Sequence, residues 1–264
     1  VIRYGVGYDN IDLNYAASKN IKVCNTPDYG IDEVSDTATA MILNISRGVS
    51  QYNFLSKNLK SDWQENTLKK LRRISECKLG VIGAGRIGGS VLLKSKSLGF
   101  QTFFYDPYVS RGHDKMLNSK QINELNDLIS LCDVISIHTP LTDETKGMVN
   151  KDFIAKMKAS SSLVNTARGK IINDIDDFYT PLKTNKLYSL ALDVLPDEPP
   201  KESKLISAWR KGEKWLGNRL TINPHTAYYS KESFKEMRVK ASKNALRFIQ
   251  GLPPLNEIKS IQIN

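Results

Sequence analysis

Apolar residues fall along the chain in short continuous runs that alternate with stretches of helical periodicity. Several runs, such as CDVISIH and KLGVIG, are apolar almost throughout, as a strand that is covered on both faces requires. The predicted strands are 1–6, 21–25, 79–83, 102–106, 133–138, 161–166, 187–194 and 220–223. The alternation of strands and helices predicts an α/β fold, a doubly wound parallel sheet with helices on both faces.

The clearest helical segments carry end signals. We expect helices at 31–48, 86–98, 151–158, 174–184 and 230–250. Asn150 and Asp174 can cap the third and fourth of these, and Gly251 is a stop signal for the last. Pro181 falls inside the fourth, where an interior proline costs about 3 kcal/mol, so we expect a kink or an early end there.

Composition narrows the class of protein. The 264 residues are 40% apolar and 25% charged, which is typical of a globular protein with a real core. There is no run of about 18 apolar residues and no signal-peptide pattern at the start, so we expect a cytoplasmic protein without a membrane segment. Three scattered cysteines without a CxxC pair indicate buried thiols in a reducing compartment, and no metal site is expected.

The net charge of +10 raises the question of a nucleic-acid partner. Basic residues are spread along the whole chain among acidic ones, and the densest run, at 68–73, is short. Such a run is more typical of a solvated surface than of a DNA contact, so no nucleic-acid partner is expected. A positive field also suits a dinucleotide and a carboxylate substrate.

A glycine motif follows the predicted strand 79–83. Gly83, Gly85 and Gly88 form a GxGxxG before a helix, a pattern that allows a tight turn, a close approach of pyrophosphate and close helix–strand packing. The next strand ends in Asp106, 18 residues after Gly88. An acid at this spacing accepts hydrogen bonds from ribose hydroxyls and repels a 2′-phosphate, which favours NAD over NADP. Alternatively, Asp106 only caps the turn before Pro107.

Three further segments place polar residues at the carboxyl ends of predicted strands, where ligands bind in open parallel sheets. They are NTARG at 165–169, LDVLPDEP at 192–199 and NPHTA at 223–227. Together with GVGYDNID, the GxGxxG, YDPY, HTPLTDETKGMVN and the extension of the last segment to NPHTAYYS, they occur in a characteristic order. In these motifs the chain resembles the D-isomer-specific 2-hydroxyacid dehydrogenase family from residue 1 to about 250, nearest its C-terminal-binding-protein-like branch.

The resemblance implies hydride transfer between a nicotinamide and a small D-2-hydroxy or 2-keto acid. His225 is the expected general acid and base, since imidazole titrates near neutral pH, and Glu198 is the carboxylate that pairs with it. Arg168 is the expected catalytic and substrate-binding cation. The implied substrate contacts are Arg3, Val6, Gly7 and Arg168. The implied cofactor contacts are Gly83, Gly85, Arg86, Ile87, Gly88, Asp106, Thr139, Pro140, Thr166, Ala167 and Asp193, the last beside the nicotinamide amide.

The resemblance also implies a domain layout. We expect an NAD-binding Rossmann domain at 28–228, with 1–27 and 229–264 as parts of a smaller flavodoxin-like substrate domain, the rest of which would precede residue 1. A homodimer is expected, with segment 31–48 at its surface. Among the remaining histidines, we expect His138 to support packing or the cofactor side and His113 to be solvated.

Two other functions stay open. One is an NAD(H)-sensing, corepressor-type binding protein with little turnover. The other is a different Rossmann enzyme such as a formate dehydrogenase, although that group carries glutamine where Glu198 stands.

Overall fold

The computed structural model describes residues 1–57, 63–68 and 71–258. Lys69 and Lys70 of the basic run therefore lie outside the described residues. The chain divides into two compact units, a smaller one of Val1–Glu33 with Tyr228–Asn264 and a larger one of Val34–Ala227. The predicted domain 28–228 spans the larger unit; its independence as a domain stays a prediction.

A parallel sheet forms the centre of the larger unit. In the part of the chain that the structure describes, its strands are β1 (Lys78–Ile82), β2 (Gln101–Tyr105), β3 (Lys120–Gln121), β4 (Val134–Ile137), β5 (Ser161–Asn165), β6 (Leu187–Leu192) and β7 (Leu220–Ile222). Their order is β3-β2-β1-β4-β5-β6-β7, and all neighbours are parallel. The chain reverses its direction of travel across the sheet between β1 and β4, which is the point where such sheets bind ligands. The predicted doubly wound sheet is confirmed.

The helices cover both faces of this sheet or belong to the smaller unit. Within the described ranges the α-helices are α1 (Leu13–Ser18), α2 (Ile31–Arg47), α3 (Val49–Ser56), α4 (Arg86–Ser97), α5 (His113–Leu117), α6 (Leu125–Leu131), α7 (Lys151–Lys156), α8 (Tyr179–Lys183), α9 (Lys204–Arg210) and α10 (Lys231–Ile249). Alternate strand residues enter two cores, because successive side chains point to opposite faces. Leu79 and Val81 belong to one core, and Ile82, Ile135 and Ile137 to the other.

Two predicted helices show how local signals act. Asn150 caps α7 as predicted, since its Oδ1 accepts the N–H of Phe153 at 3.0 Å. The segment predicted as one helix at 174–184 is instead a 3₁₀ turn, Ile175–Phe178, followed by α8. Pro181 lies in the first turn of α8, where no N–H group is needed, so it produces a new helix start and not a kink.

The smaller unit corrects two predicted strands. Segments 1–6 and 21–25 form no strand; their ladder-type pairing in the described residues is an isolated bridge between Ile2 and Cys24. Gly5, at a φ of 125°, interrupts the extended backbone of the first segment. Helix α10 confirms the prediction at 230–250, and Ser230 caps it by accepting the N–H of Ser233 at 2.9 Å.

The cysteines match the prediction from composition. Cys24, Cys77 and Cys132 are buried and reduced. Burial raises the pKa of Cys132 to about 12, so this thiol stays protonated and unreactive near neutral pH. Among the described residues, none of the helices has the length and apolar character needed to cross a bilayer.

Candidate functional site

The glycine motif forms a tight turn between β1 and α4. Gly83 has a φ of 87°, and a Cβ at this position would lie 2.9 Å from the carbonyl carbon and oxygen of His138. A Cβ on Gly88 would lie 1.9 Å from the carbonyl oxygen of Gly83. Neither position can accept a side chain without moving backbone, so the two glycines define the shape of the turn.

Gly85 has a different environment. Among the described residues, no atom lies within 4 Å of the place where its Cβ would be. Gly85 is also the N-cap of α4 and provides no side-chain cap, and the following Arg86 is exposed. The start of α4 therefore faces open space with uncapped N–H groups, an arrangement that suits a phosphate.

Asp106 fixes the glycine turn to the end of β2. Its Oδ2 accepts the N–H of Ala84 at 2.9 Å, and its Oδ1 accepts the N–H of Tyr108 at 2.9 Å. The carboxylate thus caps the turn around Pro107, which is the alternative role considered for Asp106. It also lies against the GxGxxG turn. These two hydrogen bonds therefore hold the negative charge of Asp106 beside the glycine turn, where the cofactor is expected.

His113 corrects a prediction. It was expected to be solvated, but its Nε2 lies 2.8 Å from the carbonyl oxygen of Ala84, which can only accept. The ring is half-buried and packs edge-on against Phe104 at 6.1 Å. Residue 113 thus supports the glycine turn from 29 residues away in sequence, a distance over which local pattern gives no signal.

Two threonine hydroxyl groups lie at the ends of β4 and β5. Oγ1 of Thr139 and Oγ1 of Thr166 are buried and have no hydrogen-bond partner among the described residues. A buried hydroxyl without a partner is costly, so a polar ligand at this edge of the sheet would satisfy both groups. Together with the open space at Gly85, this donor set fits a dinucleotide.

His138 follows β4 and is part of the same edge. The backbone N–H of His138 donates to the carbonyl oxygen of Ile82 at 2.8 Å, and its ring Nε2 is hydrogen-bonded to the hydroxyl of Ser136 at 2.8 Å. Burial lowers the pKa of His138 to about 3. The ring is therefore neutral near pH 7, which suits packing between β1 and β4 and not proton transfer.

His225 and Glu198 form a contact at the ends of β6 and β7. Nδ1 of His225 lies 2.7 Å from Oε2 of Glu198, and because a carboxylate can only accept, this nitrogen carries the proton. Oε1 of Glu198 accepts the N–H of Leu195 at 2.9 Å, which fixes the orientation of the carboxylate. The side chains are 42% and 37% exposed, so the pair can be reached by a small molecule.

The backbone around His225 is held by Asp193. The carbonyl oxygen of Asp193 accepts the N–H of His225 at 2.8 Å, and its carboxylate accepts the N–H groups of Thr226 and Ala227 at 3.0–3.1 Å. These bonds stabilise His225 at a φ of 55°, which is unusual for a residue other than glycine. Burial raises the pKa of the Asp193 carboxyl group. The observed partners of Asp193 are thus backbone groups, and its contact with the nicotinamide stays a prediction.

Arg168 lies in the loop after β5, next to the loop that carries Glu198. Nδ2 of Asn165 donates to the carbonyl oxygen of Arg168 at 2.9 Å, while Oδ1 of Asn165 accepts the N–H of Ala167 at 3.0 Å. A Cβ on Gly169 would lie 1.8 Å from the carbonyl oxygen of Leu195, so this loop packs directly on the loop that carries Glu198. Asn165 appears in the sequence only as part of the NTARG motif, and local pattern does not predict its role in shaping the loop.

The remaining predicted substrate contacts, Arg3, Val6 and Gly7, belong to the smaller unit. The carbonyl oxygen of Val6 accepts Nδ2 of Asn25 at 2.8 Å, and that of Gly5 accepts the N–H of Thr26 at 3.0 Å. Arg3 folds back over Gly5, with its Nη1 3.3 Å from the place where a Cβ would be. Nε of Arg3 is buried without a partner among the described residues, which leaves one donor of this cation for a ligand.

Comparison with known proteins defines the class. Residues 39–227 match the family described as "D-isomer specific 2-hydroxyacid dehydrogenase, NAD binding domain", and the chain belongs to this family. It is 30% identical to C-terminal-binding protein 1 of Caenorhabditis elegans over 96% of its own length and 34% of the relative's. It is 34% identical to D-3-phosphoglycerate dehydrogenase of Methanocaldococcus jannaschii over 78% of its length and 38% of the relative's.

The chain is also similar to a solved structure. D-lactate dehydrogenase from Aquifex aeolicus, complexed with NAD and lactic acid, is 31% identical with a TM-score of 0.80, over 95% of this chain and 76% of that one. The chain spans about a third of the length of the two curated relatives.

Proposed function

We propose that the protein transfers a hydride between NAD and a small D-2-hydroxy or 2-keto acid. The observation that carries this proposal is the contact of 2.7 Å between Nδ1 of His225 and Glu198, in a chain of a dehydrogenase family. A glutamine at position 198, expected of formate dehydrogenases, is absent.

The chemistry divides between cofactor and side chains. NADH, when bound, supplies the hydride and its two electrons to the carbonyl carbon. His225 gives a proton through Nε2 to the carbonyl oxygen, while Nδ1 stays bonded to Glu198, which fixes the orientation of the ring. Arg168 orients the substrate carboxylate, since a planar guanidinium can bind both oxygens. In the opposite direction the neutral imidazole takes the proton from the hydroxyl group.

The residues proposed to hold NAD lie at the carboxyl edge of the sheet. Gly85 and the start of α4 would bind the pyrophosphate, and Asp106 the adenosine ribose. The hydroxyl groups of Thr139 and Thr166 would find partners in the cofactor, because both are buried and unpartnered among the described residues. Arg86, Ile87, Pro140 and Ala167 would contribute contacts from the same turns.

The direct test is NADH oxidation by the protein against glyoxylate, pyruvate, hydroxypyruvate and 2-ketobutyrate. Turnover of one or more of these acids, absent without the keto acid, is the expected result. NADH that binds tightly but is not oxidised with any of them would contradict the proposal.

A corepressor-type NAD(H)-binding protein is the second candidate, favoured by the 30% identity to C-terminal-binding protein 1. It predicts tight NADH binding, negligible turnover and a protein partner that is recovered only when NADH is present. The same assay therefore separates the two candidates.

We further propose a homodimer and a cytoplasmic location, as expected from the resemblance and the composition. Light scattering on the purified protein tests the first, since a monomer mass would contradict it. Fractionation of cells tests the second.

A further inference from the structure

Tyr108 connects two carboxylates at the end of β2. Its N–H donates to Oδ1 of Asp106 at 2.9 Å, and its hydroxyl group donates to the carboxylate of Glu144. The side chain of Tyr108 is largely exposed, so burial does not hold it in place. Tyr108 thus links the two carboxylates, and the separation of Asp106 and Glu144 is at most the length of one tyrosine plus two hydrogen bonds.

Glu144 lies in a well-defined loop after β4. The N–H of Lys146 donates to the carbonyl oxygen of Thr142 at 2.9 Å, and Oγ1 of Thr145 donates to the carbonyl oxygen of Pro140 at 2.7 Å. The turn therefore keeps residue 144 close to Pro140, while the bond to Tyr108 keeps its carboxylate near Asp106. Pro140 and Asp106 are both proposed cofactor contacts.

Asp106 and Glu144 carry charges of the opposite sign to the net charge of the chain. Net charge is +10, yet within the described residues neither Asp106 nor Glu144 lies within ion-pair distance of a lysine or arginine. Burial raises the pKa of Tyr105, and the nearby charges of Glu144, Glu124 and Asp106 add to that effect. In the described part of the chain, the carboxyl end of β2 is thus an acidic corner whose two carboxylates have no ion-pair partner.

We propose that Glu144, positioned by Tyr108, is a second specificity-determining carboxylate that excludes a nucleotide with a 2′-phosphate. This inference rests on the proposed NAD-dependent function. Asp106 at the ribose already opposes a 2′-phosphate. A second charge held within about one Debye length adds to that repulsion without affecting a ribose that carries only hydroxyl groups.

The test compares two substitutions that remove one negative charge from the same loop. Glu144→Gln removes the charge bonded to Tyr108, and Asp143→Asn removes that of the exposed neighbour. The dissociation constants of NADH and NADPH are measured by nucleotide fluorescence, and those of 5′-AMP and 2′,5′-ADP by calorimetry. We expect Glu144→Gln to tighten NADPH and 2′,5′-ADP binding about fivefold while NADH and 5′-AMP change less than about twofold. Asp143→Asn should have less than half this effect.

Tyr108→Phe tests the positioning role, because it keeps the ring and removes the hydroxyl group. Glu144 is then held less firmly, so NADPH binding should tighten by a smaller factor with NADH binding unchanged. Equal loss of NADH and NADPH affinity in this variant would show that Tyr108 only packs against the nucleotide and would overturn its assignment.

Equal NADPH affinity in Glu144→Gln and Asp143→Asn, with NADH still bound by both, would overturn the inference and leave the proposed function intact. Failure of the unsubstituted protein to bind NADH would contradict both.

Discussion

Nδ1 of His225 lies 2.7 Å from Oε2 of Glu198, although the two residues are 27 positions apart in the sequence. They meet because β6 and β7 are adjacent parallel strands whose carboxyl ends share one edge of the sheet. Leu195 fixes the other carboxylate oxygen, and Asp193 fixes the backbone of His225. The geometry of this contact is thus determined by several hydrogen bonds, which makes its parts open to separate tests.

The charge of Glu198 is tested by Glu198→Gln. Glutamine can still accept from His225 but forms a weaker hydrogen bond than the carboxylate, so kcat for keto-acid reduction should fall at least about tenfold with KM within about threefold. Steady-state kinetics measures both. Asp197→Asn is the matched control, since Asp197 lies in the same loop and its carboxylate forms an exposed ion pair with Lys201. An equal loss of kcat in both variants would contradict a specific role of Glu198.

The open space at Gly85 is tested by adding one methyl group. Gly85→Ala meets no neighbouring atom among the described residues, so the free energy of unfolding should change by less than about 0.5 kcal/mol. NADH affinity should nevertheless fall at least about tenfold, because the methyl group occupies the space proposed for the pyrophosphate.

Gly88→Ala is the contrasting variant. Its methyl group would lie 1.9 Å from the carbonyl oxygen of Gly83, so the free energy of unfolding should fall by more than about 2 kcal/mol. Thermal unfolding and NADH titration distinguish the two variants. Gly85→Ala with unchanged NADH affinity would show that the cofactor does not bind at this turn.

Asp193→Asn separates two roles of one residue. The amide oxygen can still accept from Thr226 and Ala227 with a weaker bond, so His225 should be held less firmly. If backbone positioning is the main role, kcat should fall about tenfold while the dissociation constant of NADH changes less than about twofold. A rise in that dissociation constant comparable to the loss of kcat would instead support the predicted contact with the nicotinamide.

Asp133 gives a prediction about pH. Burial opposes its charge, but hydrogen bonds from Lys158 at 2.6 Å and from the N–H of Lys78 at 2.9 Å outweigh it and lower the pKa of Asp133. A lowered pKa in the folded state stabilises the fold above the unfolded value of about 3.9, and this stabilisation is lost as pH falls below it. Asp133→Asn should therefore cost about 2 kcal/mol at pH 7 and progressively less below about pH 4.

Urea unfolding of both proteins at pH 7, 5 and 3.5 measures this difference. A difference between wild type and Asp133→Asn that grows toward acid would contradict the account.

The features that sequence reasoning predicted well depend on local pattern. Buried parallel strands are continuous apolar runs, and the glycine motif sits between one such run and a helix, so β1, β4, β5 and α4 could be located within a few residues. Capping residues such as Asn150 act over three positions and were equally visible. Polar residues at strand ends could be grouped because parallel strands end at one edge.

The features that were missed depend on contacts between distant segments. His113 was expected to be solvated because its neighbours are polar, but its partner is the carbonyl group of Ala84. The hydroxyl of Tyr108 reaches Glu144 across 36 residues, and no periodicity predicts such a pair. Asp193 has the residue type expected for a ligand contact, and only coordinates show that its carboxylate accepts from the backbone of Thr226 and Ala227.

The most direct test of the account is the rate of NADH oxidation by the protein and by His225→Gln, measured with the best 2-keto acid at saturating concentration. We predict a loss of at least about a hundredfold in kcat, with the dissociation constant of NADH unchanged, because the variant loses only the group that carries the proton. Equal rates of NADH oxidation in the two proteins would show that His225 is not the proton donor and would contradict the proposed mechanism.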